Sequence, residues 1–437
     1  MVSIRLSVSR SNRSRVTRVV LPFLAFLLCW TPAGADQLVK SGPELLVNTY
    51  TADDQGFPEV AADANGDYVV VWESYGQDGD QWGVFGQRFA RSGDPVGSEF
   101  PVNSLTTDVQ DCPRVSMGST GEFVVTWDSF DSDGSDFGVR AQRFDSAGNA
   151  VGTEFQVNST TANNQWYSTS AIDASGNFLV AWESFAQDLS LSGIYAQHYD
   201  SAGNAIGDEF QVNVTTANDQ NDVRLQATDT GFIVAWESTV AGNGEEVFMR
   251  LLDSNANFTT GEIQVNTYTP NNQENPSIAV NADGTFAVVW ESDGQDGSSE
   301  GIYAQVFDSS GTAIGSELLV NTYTTGNQDD PKVSTDGEGN FVAVWESLGQ
   351  VDGMSDEIIG RRFDTAGQPL GGEFQVNTQT TFNQWAASLA DLGQGRFVVS
   401  WLTLETSEGN VKSQHFELDF FSDGFESGDS SAWTTVP

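Results

Sequence analysis

The sequence predicts an all-β chain folded as a seven-bladed β-propeller, and three regularities carry that reading. Tryptophan recurs at Trp72, Trp127, Trp182, Trp236, Trp290, Trp345 and Trp401, at spacings of 55, 55, 54, 54, 55 and 56 residues. A Val-Asn pair keeps step with it, its asparagine at Asn48, Asn103, Asn158, Asn213, Asn266, Asn321 and Asn377. Seven residues after each asparagine stands a glutamine: Gln55, Gln110, Gln165, Gln220, Gln273, Gln328 and Gln384. A period of this length marks an array in which each unit is one supersecondary element.

Each unit reads as four short strands. The first is Pro-x-Val-Ala, as in Pro58 to Ala61, and an Asp-x-Asn-Gly-Asp turn at Asp63 to Asp67 leads to the second, Tyr68 to Trp72. The third is Gly-x-Tyr-Ala-Gln-x-Phe, as in Gly301 to Phe307, and the fourth is Glu-Phe-Gln-Val-Asn, as in Glu154 to Asn158. The second strand is apolar at nearly every position (Phe341-Val342-Ala343-Val344-Trp345), the pattern of a strand buried on both faces. The other strands alternate and end in Gly, Asn, Asp and Ser, as hairpin connections require. The chain opens on a lone fourth-strand motif, Glu44 to Asn48, while the seventh unit has only three strands, ending at Gln414-His415-Phe416. Pairing of that N-terminal strand into the last blade closes the ring and removes the edges an open array would expose. An open β-solenoid and tandem sandwiches are the competing architectures. In the propeller, the long polar loops crowd one face, and tight turns such as Asp173 to Asn177 occupy the other.

The first 35 residues read as a secretory leader. Arg5, Arg10, Arg13, Arg15 and Arg18 precede an apolar run from Val19 to Trp30 and a Thr-Pro-Ala-Gly-Ala site ending at Ala35. That run is too short for an ordinary membrane-spanning helix, and no later stretch is apolar enough to be one. The predicted organisation is therefore a leader at 1–35, a linker at 36–43, a propeller at 44–417 and an acidic tail at 418–437. With 61 Asp+Glu against 18 Lys+Arg and a net charge of −43, binding to nucleic acid or anionic lipid is disfavoured. Removing the leader leaves Cys112 as the one cysteine, so no internal disulfide can form, and the ring is expected to be monomeric.

The strings Val320-Asn321-Thr322-Tyr323-Thr324-Thr325-Gly326-Asn327-Gln328, Trp290 to Gly297 and Gly301-Ile302-Tyr303-Ala304-Gln305 resemble the tandem repeats of large secreted bacterial proteins. Those proteins often also carry calcium-binding repeats of the repeats-in-toxin kind. The resemblance runs from Glu44 to about Phe416 and implies export, a calcium requirement and an extracellular or surface role, but no chemistry. Two departures stand out: the glycine-rich calcium nonapeptides are absent from the sequence, and in the fourth unit Val240 to Glu245 replaces the Gly-Gln-Asp-Gly loop. The segment Phe421 to Trp433 is similar to a "F-x-DGFESGD-x-S-x-W" tail that closes many unrelated secreted bacterial proteins, which implies sorting or processing. A plain disordered acidic end is the alternative.

The seven tryptophans read as inter-blade core and the seven glutamines as partners of loop backbone between blades. Arg88, Arg143 and Arg362 read as cross-strand partners of the acid after each tryptophan, and His198 and His415, in the same third-strand position, as surface substitutions. The acidic loops are the candidate calcium ligands: Asp78 and Asp80; Asp131, Asp133 and Asp136; Asp293 and Asp296; Asp352 and Asp356. Calcium takes 6–8 oxygens from such flexible loops, and a solvated acidic surface is the competing account. Trp166, Tyr167, Trp385 and Trp82 are the candidate ligand-binding aromatics on the long-loop face, suited to stacking on sugar rings or anchoring a protein. No Ser/His/Asp set, Cys/His pair or phosphate loop appears, and the acids are too many for one catalytic pair to stand out. The sequence thus predicts an exported, non-enzymatic binding or scaffold protein for a glycan or protein partner. A glycan-active propeller enzyme using loop carboxylates and a purely structural matrix protein are the alternatives.

Overall fold

A computed structural model describes residues 37–404 and 408–419; the predicted leader and most of the acidic tail lie outside them. The described residues form seven four-stranded antiparallel sheets, each built from consecutive strands except the last, whose order is β1-β28-β27-β26. Strand β1 (Gln37–Leu46) is the fourth strand of the seventh blade, so the ring is closed by the N-terminus as the repeat count demands. It starts earlier than Glu44 because its partner β28 (Asn410–Asp419) is long, and a register shift between Ser41 and Leu45 lets both halves pair.

The innermost strands, β2 (Gln55–Ala62), β6 (Gln110–Met117), β10 (Gln165–Ile172), β14 (Gln220–Thr228), β18 (Gln273–Val280), β22 (Gln328–Thr335) and β26 (Gln384–Gly393), contact one another in a closed cycle. Seven apolar clusters fill the seams between blades. The one joining the last blade to the first packs Trp72 and Tyr68 on Leu392, Val398 and Val411. All seven repeat tryptophans are at most 1 % exposed.

Three side chains per repeat explain the sequence periodicity. Each repeat asparagine prolongs the strand pairing past the end of the fourth strand. Its Oδ1 accepts the N–H of Val84, Val139, Ile194, Val247, Ile302, Ile358 or Val411 at 2.7–2.9 Å. Each repeat glutamine is fully buried, and its amide donates to loop carbonyls such as Thr107 and Ala162. A glutamate on each fourth strand, or just before it in the case of Glu262, accepts the N–H after the preceding blade's asparagine, from Glu99 on Thr49 to Glu44 on Thr378.

Two expectations are corrected here. Arg88 and Arg143 do not face the acid after the tryptophan. They sit at the tight-turn end and donate to carbonyls of the next blade's 3–4 turn, Ser146/Ala147 and Ser201/Ala202, so they clip blades together. Arg362 instead grips the fully buried Asp336. His198 and His415 are not surface residues but 3 % and 7 % exposed, wedged edge-on to Phe232 and Tyr68. An imidazole is too short for the arginine's reach and fills the seam with its ring instead.

Candidate active site

The long-loop face is built around a bulge in every innermost strand. Two residues after each repeat glutamine the backbone turns left-handed, at Phe57, Cys112, Tyr167, Asp222, Asn275, Asp330 and Ala386, with φ between +46° and +52°. Non-glycine residues avoid this region at a cost of roughly 1–2 kcal/mol each. The compensation comes from the acid after the previous blade's tryptophan. Glu73, Asp128, Glu183, Glu237, Glu291 and Glu346 accept the N–H of Cys112, Tyr167, Asp222, Asn275, Asp330 and Ala386 at 2.5–3.1 Å. In the seventh blade Leu402 takes the acid's place. The Trp-Glu-Ser signature thus encodes a ring of blade-to-blade staples at the mouth of the channel.

Burial pushes these carboxyls up, to about 7 for Glu73 and about 8 for Glu183 and Glu291. Glu346 rises to about 9, by burial and then by the charge of Asp330. Burial also raises Asp128 and Glu237.

Below the ring a cavity of about 330 Å³ runs along the axis. Its first tier is the fourth residue after each glutamine: Glu59, Arg114, Thr169, Arg224, Ser277, Lys332 and Ser388. The three cations come from alternate blades and each has its own carboxylate. Arg114 holds Glu59 at 3.3 Å, Arg224 holds Asp222 at 2.7 Å, and Lys332 holds Asp330.

Chemistry concentrates at the rim, where two columns of the repeat face each other across the blade seams. One is the residue after the glutamine (Gly56, Asp111, Trp166, Asn221, Glu274, Asp329, Trp385); the other stands two before the third-strand residue whose N–H binds the repeat asparagine (Trp82, Phe137, Ser192, Glu245, Glu300, Asp356, Gly409). At three consecutive seams the columns bring carboxyls together or place one against an indole. Glu245 and Glu274 share a hydrogen bond, and that bond, followed by burial and the Glu274 charge, pushes Glu245 up to about 8. Asp329 is raised to about 7 by burial, with Asp356 and Glu300 adding repulsion. Asp356 Oδ2 accepts the Trp385 indole N–H at 2.8 Å and the Asn383 amide at 2.9 Å.

The predicted aromatics all reach this face. Trp166 donates to Glu183 at 3.1 Å and lies 5.7 Å from the ring of Tyr167, which is 49 % exposed. Trp82 sits edge-on to Tyr75. Phe57, 52 % exposed in the same bulge position as Tyr167, was not among the candidates, nor were Glu245, Glu274 and Asp222. The offset of two from each repeat glutamine was the available signal for Phe57 and Asp222.

The predicted calcium loops are tight turns in which one aspartate caps its own backbone. Asp78, Asp133, Asp296 and Asp352 accept the N–H two residues on at 2.7–3.3 Å. Asp133 Oδ2 also takes the amides of Gln156 and Asn158. The N–H of Asp131 donates to the carbonyl of Asp136 at 2.7 Å, Asp80 caps the N–H of Asp108, and Asp293 donates its own N–H to the carbonyl of Asn272. Among the described residues, the three-ligand cluster lies elsewhere, at Asp111, Cys112 and Asp128.

No family model matches this chain, and no curated protein matches it. Solved structures do. A protein of unknown function from Dyadobacter fermentans superposes with a TM-score of 0.52 at 12% identity, over 87% of this chain and 99% of that one. The α-L-arabinanase of Penicillium chrysogenum complexed with arabinobiose gives 0.50 at 15%, over 71% and 94%. The GH93 α-L-arabinofuranosidase of Fusarium graminearum with arabinobiose gives 0.49 at 13%, over 70% and 92%. At these identities the likeness is one of fold. It nevertheless overturns the expectation of a non-enzymatic binding or scaffold protein, which took a propeller without a familiar motif to act by binding alone. The arabinanase shares the architecture, and the rim of this propeller holds carboxyls tuned toward neutral pH rather than an undifferentiated acidic surface. Neither a nucleophile triad nor a histidine is needed for such chemistry.

Proposed function

We propose that the chain is a glycan-active hydrolase whose site is the acidic rim of the long-loop face. The observation that carries the reading is the half-buried Glu245–Glu274 pair. The hydrogen bond to Glu274, then burial and the Glu274 charge, keep Glu245 protonated up to about pH 8. That is the state a general acid must have when it protonates a glycosidic oxygen. The paired carboxyls lie too close to one another to flank a glycosidic bond, since glycosidase pairs stand ~5–9.5 Å apart. They act as one donor, and Asp222, held by Arg224 on the innermost strand of the blade that carries Glu245, supplies the opposing carboxylate that steadies positive charge or activates water. Tyr167, Phe57, Trp166 and Trp385 offer stacking faces for sugar rings around the same mouth. The export of residues 36–437 by the basic leader belongs to the same reading, since polymeric glycans are met outside the cell.

The test is release of reducing ends by the mature chain from a panel beginning with arabinan and arabinoxylan and extending to other neutral polysaccharides. Activity is expected to fall 10²–10⁴-fold in Glu245→Gln and Glu274→Gln, with melting temperatures preserved. Absence of release by the wild-type protein from every polymer, or full activity in both variants, overturns the proposal.

A further inference from the structure

We propose that Asp111, Cys112 and Asp128 form a binding site for a thiophilic divalent cation, Zn²⁺ by chemistry, at the channel mouth of the second blade. Their ligand atoms all lie within 4.8 Å of one another. Asp111 and Asp128 are directly opposed on adjacent strands, and Cys112 is the bulge residue beside them.

The second observation is an orphaned acceptor. Asp128 is 2 % exposed; its Oδ2 accepts the Tyr167 N–H at 2.8 Å, but Oδ1 has no partner. A carboxylate oxygen buried without a donor is costly, and native structures rarely leave one so. Other blades show how the repeat normally avoids this. Glu183 is met by the Trp166 indole, Glu237 by the Asn221 amide and Glu291 by the Asn275 amide. In the second blade the corresponding neighbours are the Asp111 carboxyl and the Cys112 thiol, and neither is hydrogen-bonded to Oδ1. The acid itself is shortened from Glu to Asp here, alone among the six blades that carry one.

Cation chemistry follows from the donor set. One sulfur and two carboxylate oxygens match the tetrahedral N/O/S preference of Zn²⁺, with water as the fourth ligand. They do not match Ca²⁺, which takes oxygens only and more of them. The nearby cation Arg114 is engaged by Glu59 at 3.3 Å, and Glu73 accepts the Cys112 N–H at 3.1 Å, fixing the backbone that carries the sulfur. Cys112 and Asp111 are both partly exposed, so the site has an entry path from the mouth.

The test uses residues 36–437 titrated with Co²⁺ as a spectroscopic stand-in. One equivalent is expected to give a thiolate-to-metal charge-transfer band with tetrahedral ligand-field absorption, displaced by Zn²⁺ and not by Ca²⁺. Cys112→Ser is expected to abolish the charge-transfer band, and Asp128→Asn to weaken binding at least tenfold while keeping the wild-type melting temperature without metal. No charge-transfer band in the folded wild-type protein, or binding unchanged in both variants, overturns the assignment. Both readouts are independent of glycan turnover, so this proposal and the hydrolase reading stand or fall separately.

Discussion

The staple carboxyls make stability run the unusual way with pH, and Glu291 is the position at which this can be isolated. Its Oε1 accepts both the Asp330 N–H and the Asn275 amide, so Glu291→Gln keeps both bonds through its own Oε1 and removes only the titration. Burial lifts the carboxyl from 4.5 to about 8, so the folded state holds a proton that the unfolded chain releases near pH 4.5. Wherever the native state binds more protons, stability falls as pH rises. The contribution is complete below pH 4.5 and is lost progressively until pH passes about 8. At 1.36 kcal/mol per pKa unit the whole swing is on the order of 5 kcal/mol, an upper figure because the seam relaxes around a charged side chain. The assay is urea unfolding of the wild-type protein and Glu291→Gln at pH 5.5 and pH 9. The wild type also weakens at high pH through its net charge of −43, so the informative quantity is the difference between the two proteins. The variant is expected to exceed the wild type by about 1 kcal/mol at pH 5.5, one unit into the loss, and by about 2–5 kcal/mol at pH 9. A variant less stable than the wild type by the same amount at both pH values would refute the argument, since it would mean that Glu291 is ionised throughout and bonded in that form.

The remaining predictions concern what closes and clips the ring. The indole of Trp290 donates to Gln273 at 3.1 Å, whereas that of Trp236 has no partner. Trp290→Phe therefore orphans a buried acceptor, and it should cost about 1–3 kcal/mol more than Trp236→Phe in denaturant titrations. Glu44 on the closing strand accepts the Thr378 N–H and hydroxyl and meets Lys412 at 3.3 Å. Glu44→Ala should cost about 1–3 kcal/mol and raise hydrogen exchange in β28 first, because the last blade alone loses its outer clip. Arg362→Met removes the counter-charge of Asp336, which is 0 % exposed, and should lower stability by about 3–5 kcal/mol; Asp336→Asn in that background should recover part of the loss.

How much of this was legible follows from what the repeat holds constant. Trp, Asn and Gln recur because each satisfies a backbone or packing demand made identically at all seven seams, so reading one column at a time was enough to derive the blade, the count and the closure. The candidate site is written in the positions the repeat leaves free, and there a single column misleads. Glu274 and Asp329 look like two more acids in an acidic chain, as do Glu245, Glu300 and Asp356. Their meaning appears only when the third strand of one blade is laid against the first strand of the next, which pairs Glu245 with Glu274 and Asp356 with Trp385. The fourth unit illustrates the physical reason. Loss of its Gly-Gln-Asp-Gly loop looked like decay, but it lets β15 (Gly231–Val240) and β16 (Gly244–Asp253) pair out to Val240 and Gly244, a longer hairpin than its neighbours have. That extension sets Glu245 in regular strand geometry opposite Thr239, at the seam where Glu274 arrives from the fifth blade. The fourth unit is therefore one place where the ring departs from its repeat, as Leu402 does in the seventh blade and Asp128 in the second, and such departures alone give a seven-fold ring a face with one distinct orientation.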